Sequence, residues 1–93
     1  MKIERQSQFE NVLRCKWSSS VLLSIASGTK QPGELQRSIT GLTKKVLYQR
    51  LKKLERFEYI KRRLVAEKPL KVYYTLTPQG RKVVKIIKLI KTL

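Results

Sequence analysis

Residues 32–76 constrain the fold more than any other part of this chain. A short stretch with Pro32 at its start leads into the turn residues 40–42, a strongly basic stretch at 44–57, and two runs rich in β-branched and aromatic residues. This order predicts a helix-turn-helix followed by a β-hairpin, or wing. The predicted fold class is mainly α with a small β-hairpin (α+β), and a length of 93 residues suits one domain over residues 1–93.

Two amphipathic stretches precede this segment. Residues 1–14 are predicted to form a helix. Its apolar side chains are Ile3, Phe9, Val12 and Leu13. Residues 16–27 are predicted to form a core helix, because Trp17, Val21 and Ile25 recur every four residues. We expect Trp17 to pack in the core and not to stack on a ligand, since large aromatic side chains are usually packed.

The basic helix predicted at residues 44–57 has two opposite faces. Its buried stripe consists of Leu47, Leu51 and Leu54. At 100° per residue, a polar row spanning about 60° lies nearly opposite these leucines. This polar row consists of Lys45, Gln49, Lys52 and Arg56. A merely solvated face usually interleaves Glu with Lys, so a row without an acidic residue favours a surface that faces a nucleic-acid groove.

Residues 60–76 are predicted to form the wing. In order, the predicted elements are a strand at 60–65, a turn at 66–71 and a strand at 72–76. Cations of the wing and of the basic helix are expected to hold a DNA backbone and to set orientation, not sequence preference. They are Lys44, Lys53, Arg62, Arg63, Lys68 and Lys71.

Thr77 and Pro78 are expected to open a last helix, as its N-cap and its first helical residue. The apolar residues that follow spread over roughly 160° of the helix circumference. They are Val83, Ile86, Ile87, Leu89, Ile90 and Leu93. So wide a face exceeds what a small core needs and favours a dimer interface, because large apolar patches mark association sites. A deeply buried core helix is the alternative.

The charge balance is strongly positive. Twenty-two Lys and Arg residues face six Glu residues, with no Asp and no His, so the formal net charge is +16. A hydrophobic fraction of 41% indicates a globular chain and not a disordered basic tail. We therefore favour nucleic acid as the partner over an anionic membrane, and over a charge that serves solubility alone.

Catalytic and metal-binding constellations are not expected. With one cysteine, Cys15, and no His or Asp, the chain offers too few ligands for zinc and no catalytic triad. The four glycines do not form a phosphate loop, and we predict no cofactor and no enzymatic activity. A single cysteine indicates a reduced cytoplasmic setting, and neither a signal peptide nor a membrane span is predicted.

Several segments, from about residue 14 to the end of the chain, together resemble the HxlR-type winged-helix regulators, which are related to the MarR group. These segments are Lys16-Trp17, Gly33-Glu34-Leu35, residues 39–47 (ITGLTKKVL), residues 51–55 (LKKLE) and residues 72–80 (VYYTLTPQG). The resemblance implies a prokaryotic, homodimeric transcription factor that binds paired half-sites in DNA. With the polar row, it implies base-reading roles for Thr43, Lys45, Tyr48, Gln49, Lys52 and Arg56.

Family members build their dimers from the N- and C-terminal helices. The resemblance and the wide apolar face together give the expected interface residues. They are Phe9, Val83, Ile86, Ile87, Ile90 and Leu93.

Two positions depart from the family pattern. Glu58 stands where many members have glycine, and Cys15 abuts Lys16 in a place usually held by glycine. Some members sense oxidants or electrophiles through a cysteine, but the family's frequent N-terminal cysteine lies several residues before the Lys-Trp pair. Arg14 and Lys16 can lower the pKa of the Cys15 thiol, which makes it a candidate redox residue, whereas a buried inert thiol is the commoner outcome for such a cysteine.

These patterns predict a sequence-specific regulator that binds double-stranded DNA as a homodimer, with helix 44–57 in the major groove and wing 60–76 on the backbone. It is expected to act in the cytoplasm, associated with the nucleoid, and the sequence identifies no small-molecule effector. One alternative is a non-specific architectural or RNA-binding basic protein. Another is a winged-helix module that binds other proteins.

Overall fold

The computed structural model describes the backbone of residues 2–93 and the side chains of residues 6–93. This part of the chain contains five helices and a two-stranded antiparallel sheet. The helices are α1 (Lys2–Arg14), α2 (Lys16–Ala26), α3 (Pro32–Ser38), α4 (Lys44–Arg56) and α5 (Pro78–Lys91). The strands are β1 (Ile60–Glu67) and β2 (Leu70–Leu76). The order confirms the predicted winged helix-turn-helix, mainly α with a small hairpin.

Local sequence signals set the helix starts. The Thr43 hydroxyl accepts a 3.2 Å hydrogen bond from the backbone N–H of Val46 and caps α4. The Thr77 hydroxyl accepts a 2.9 Å bond from the N–H of Gly80 and caps α5. Gly41 has a φ of 83° in the turn between α3 and α4, a conformation that glycine adopts without steric cost. The predicted N-cap Thr77 and the predicted turn at residues 40–42 are therefore confirmed.

The core lies between α2, α4, α5 and the inner face of the hairpin. Leu47, Leu51 and Leu54 are at most 1% exposed, which confirms the predicted leucine stripe of α4. Other fully buried side chains are Val12, Val21, Leu22, Leu35, Tyr59 and Ile60. Phe9, Leu13 and Trp17 are partly buried and pack against this core. Ile3, predicted on the same face of α1, lies outside the described side chains.

The wing differs from its prediction in length. We predicted a turn over residues 66–71, but Ala66 pairs with Lys71 and Glu67 with Leu70, so only Lys68 and Pro69 form the turn. Pro69 has no N–H to donate to a ladder, and a two-residue turn is where that loss matters least. A register shift between Leu64 and Ala66 leaves Val65 as an extra residue in β1.

The apolar face of α5 is shared between the core and the surface. Val83 and Ile87 are no more than 5% exposed and belong to the chain's own core, so they offer little surface to the predicted dimer interface. One half of the apolar face of α5 therefore packs in the core, and its other half remains exposed to solvent. Between residues 2 and 93, no helix combines the length and apolar content that crossing a bilayer requires.

Candidate nucleic-acid interface

The polar row of α4 lies on the outside of the molecule. Lys45, Gln49, Lys52 and Arg56 are all exposed. The leucines on the opposite side fix α4 against the core and prevent the helix from rotating, so this row faces solvent as a set. Thr43 caps the start of α4 and is exposed beside the row. Four long polar side chains, three of them cationic, thus form one exposed row along α4.

Tyr48 lies on the flank of α4 that faces α3 and the wing. Its side chain is 40% exposed and lines a cleft of about 260 Å³ together with Lys71 of β2. Tyr48 and Lys44 also line an adjoining cleft against α3. Tyr48, Lys44 and Lys71, predicted separately from sequence, are therefore brought together where α4 meets the wing.

The cations of the wing divide between its two faces. In the register of the hairpin, Arg62 lies opposite Tyr74 and Arg63 lies opposite Tyr73. Opposed residues share a face, and Tyr74 is buried. The side chain of Arg62 therefore lies on the inner face of the hairpin, and that of Arg63 lies on the outer face. Lys68 is exposed in the turn.

Lys53 is separated from the other predicted backbone contacts. It lies on the α4 flank that faces α1, where its Nζ donates a 2.7 Å hydrogen bond to Oδ1 of Asn11. Arg50, three residues earlier, lines a cleft between α1 and α4 together with Lys53. Sequence reasoning did not single out Arg50, although its spacing from Lys53 already places the two on neighbouring parts of one helix face.

Cys15 lies beside these two cations, partly buried at the N-cap position of α2. Burial raises the pKa of its thiol, but hydrogen bonding from the side chain and backbone of Ser18, with the charges of Lys53 and Arg50, more than offsets it. The pKa of Cys15 therefore lies below its ordinary value. The activating cations are Lys53 and Arg50, not the predicted Arg14 and Lys16.

The other half of the apolar face of α5 is exposed. The α5 patch consists of Ile86, Leu89 and Ile90 of this helix and of Leu93, two residues beyond its end. Their exposed fractions run from 41% at Ile86 to 101% at Leu93. Side chains of this kind exposed on one helix form a surface suited to association. Phe9, the predicted interface residue of α1, is half-buried against the chain's own core.

Metal ligands do not gather anywhere in the described part of the chain, where no group of three or more His, Cys, Asp or Glu side chains is close enough to hold an ion.

Comparison with known proteins agrees with the winged helix-turn-helix fold. The family model of HxlR-like helix-turn-helix proteins matches residues 12–93, and the chain belongs to this family. The HTH-type transcriptional regulator YodB of Bacillus subtilis (strain 168) is 34% identical over 75% of this chain and 62% of its own length. The chain thus spans somewhat less than two thirds of that relative.

Solved structures show the same fold. The crystal structure of a MarR-family transcriptional regulator from Enterococcus faecalis V583 superposes with a TM-score of 0.83 at 30% identity, covering 99% of this chain and 84% of that one. Diamide-treated YodB from B. subtilis gives a TM-score of 0.81 at 30% identity, covering 94% and 85%. These relatives are transcriptional regulators, which is the function class of the family.

Proposed function

We propose that this protein is a sequence-specific regulator that binds double-stranded DNA as a homodimer. The observation that carries the proposal is the exposed polar row of α4, which has no acidic member and is held outward by a buried leucine stripe. The major groove is about 12 Å wide and admits one α-helix, so α4 can place this row against base edges. The family's function class supports the same reading.

Each part of the surface then has a role. Gln49 pairs with adenine through two hydrogen bonds, and the cations of the polar row contact guanine edges or phosphates. Thr43 and Tyr48 contact the groove from the start and the flank of α4. Lys44, Lys68 and Lys71 bind backbone phosphates, which orients the helix without selecting sequence.

The α5 patch supports the dimer. Three exposed apolar side chains on α5, with Leu93 just beyond its end, are costly for a monomer in water, and a twofold contact between two α5 helices would bury them. Two recognition helices would then enter successive major grooves roughly one helical turn apart. The place of action is the prokaryotic cytoplasm, on the nucleoid.

Cys15 is the proposed reactive thiol of this regulator. The observation that favours this second role is its lowered pKa, which raises the thiolate fraction near neutral pH. Cys15 also lines an open cleft between α1 and α4, which gives small reagents a route to the thiol.

Selection from a random duplex library at physiological salt tests the DNA-binding proposal. The selected duplex is then titrated against shuffled duplexes of the same length. We expect an enriched inverted repeat with a preference of about 10³ or more, the lower range for specific regulators.

Other results of the same experiment would indicate one of two other functions. An absence of enrichment, with affinity that collapses as salt rises, would indicate a charge-driven architectural or RNA-binding protein. Structured RNA that competes better than duplex DNA would point to RNA. A protein-binding module would lose all duplex affinity at physiological salt.

A further inference from the structure

A basic cleft lies between α1, the start of α2 and the α1-facing flank of α4. Its volume is about 500 Å³. Among the described residues, three cations line it, Arg14, Arg50 and Lys53, together with the carboxylate of Glu10. This part of the lining is net positive, and a net positive cleft concentrates anions.

One buried hydrogen-bond donor at this cleft has no acceptor. Nε of Arg50 is shielded from water and has no hydrogen-bond partner among the described side chains. Buried polar groups in folded proteins are nearly always paired. The unpaired Nε of Arg50 therefore indicates a missing acceptor at this cleft.

The start of α2 reaches this cleft through its N-cap residue, Cys15. The first turn of this 11-residue helix contains no acidic residue that would compensate its dipole. The positive end of the helix dipole therefore favours an anion near this place.

Lys53 is held at the cleft as a fixed charge. Asn11 Oδ1 accepts a hydrogen bond from its Nζ, which orients the ammonium group. Burial lowers the pKa of Lys53, and the nearby charges of Arg50 and Arg56 lower it further, against an opposing effect of Cys15. A bound anion would relieve this repulsion between cations.

We propose that this cleft binds a small oxyanion, a phosphate or carboxylate group. Arg50 offers its planar fork, Lys53 a point charge and the start of α2 the positive end of its dipole. The inference goes beyond DNA binding and is measured without DNA, so the two proposals fail independently. Since Arg50 and Lys53 belong to α4, an anion bound here would fix the flank of the helix that carries the polar row.

Titration of inorganic phosphate into the full 15N-labelled chain tests the inference. Ionic strength is held constant with sodium chloride, and the arginine Nε–Hε signals are followed by NMR. We expect the signal of Arg50 to shift and saturate. The signal of Arg81, an exposed arginine of α5 outside the cleft, should stay unchanged.

Substitutions assign the binding to the cleft. Arg50→Gln and Lys53→Gln should each weaken phosphate binding about tenfold, since each removes a charge-assisted hydrogen bond. Arg81→Gln, with the same loss of charge, should leave it unchanged. Arg50→Lys keeps the charge but not the fork, and its amide spectrum shows whether the fold persists. Equal, unsaturated drift of the Arg50 and Arg81 signals would overturn the proposal.

A second experiment, with DNA present, distinguishes two sources of the oxyanion. If a backbone phosphate occupies the cleft, inorganic phosphate competes with DNA, and Arg50→Gln lowers the salt slope of DNA binding by about one. If the source is a free small molecule, Arg50→Gln leaves DNA affinity unchanged while phosphate binding is lost. Both results retain the oxyanion site and differ only in its occupant.

Discussion

The hydroxyl of Thr77 donates a 2.6 Å hydrogen bond to the backbone carbonyl oxygen of Glu58. The same hydroxyl accepts from the N–H of Gly80, and the N–H of Thr77 donates to the carbonyl oxygen of Tyr59 at 3.0 Å. One residue thereby ties the end of α4 to the start of α5. The position of α4 relative to the α5 patch depends on this junction.

Replacing Glu58 with glycine should stabilise the protein. Glu58 has a φ of 63°, and the N–H of Tyr59 donates to the carbonyl oxygen of Leu54 to close the end of α4. This left-handed conformation costs a residue with a side chain roughly 1–2 kcal/mol. We expect Glu58→Gly to raise stability by about 1 kcal/mol, or Tm by about 4–8 °C in thermal unfolding.

Gly28 provides the matched control for Glu58. It ends α2 with a φ of 108° and the same arrangement, in which the N–H of Thr29 donates to the carbonyl oxygen of Ser24. Gly28→Ala should cost about 1 kcal/mol, while Glu58→Ala should bring no gain. Equal stability of Glu58→Gly and Glu58→Ala would contradict the conformational explanation.

Adding a methyl group at Gly80 should damage the junction between β1 and α5. A Cβ built there would lie 1.9 Å from the carbonyl oxygen of Tyr59. Backbone cannot move aside as a flexible side chain can, so Gly80→Ala should cost about 3 kcal/mol or more in chemical unfolding. At Gly33 of α3 the added Cβ would meet only the tip of Arg37 at 3.5 Å. Gly33→Ala should be neutral or slightly stabilising.

Alkylation of Cys15 should depend on Ser18. The pKa of Cys15 is lowered through hydrogen bonding from Ser18, so the thiolate should form at a lower pH than in an unfolded chain. The rate of iodoacetamide alkylation against pH measures this. Ser18→Ala should move the midpoint of that profile to higher pH, as should Lys53→Gln. A profile that is unaltered in both variants would show that neither group stabilises the thiolate.

Charges placed in the α5 patch should separate a dimer without unfolding the chain. Ile86 and Ile90 are 41% and 46% exposed, so Asp is tolerated at both in a monomer. Burying two carboxylates in an interface should weaken association by about 2–4 kcal/mol or more, the scale of interface hot spots. Sedimentation velocity should show a dimer for the parent and a monomer for Ile86→Asp/Ile90→Asp.

Exposed apolar residues of the wing supply the comparison for the α5 patch. Leu64 and Leu70 are 51% and 65% exposed but lie outside α5. The double variant Leu64→Asp/Leu70→Asp should remain dimeric. Loss of the dimer in this variant, or its survival in Ile86→Asp/Ile90→Asp, would place the interface elsewhere.

Local signals in the sequence were enough to predict the helices and their starts. Thr43 and Thr77 act as N-caps through their own hydroxyl groups, and the leucine spacing of α4 fixes its buried side. These features depend on residues within one or two turns of each other. The same holds for Gly41, whose positive φ follows from the tight turn itself.

Long-range packing decided what the sequence could not predict. Asn11 and Lys53 are 42 positions apart, so the cleft between α1 and α4 cannot be found from periodicity. Helical spacing showed that α5 has a wide apolar face, but not that Val83 and Ile87 meet the chain's own core while Ile86 and Ile90 face outward. Such a division depends on where neighbouring elements lie.

Sequence preference in the Gln49→Ala variant tests the central claim most directly. Affinities for the selected duplex and for shuffled duplexes are measured at several salt concentrations, for this variant and for Lys68→Ala. If the polar row reads bases, Gln49→Ala should lose about 1–3 kcal/mol on the selected duplex only. Lys68→Ala should weaken every duplex alike and lower the salt slope by about one. Equal loss on selected and shuffled duplexes for Gln49→Ala would contradict base reading by α4.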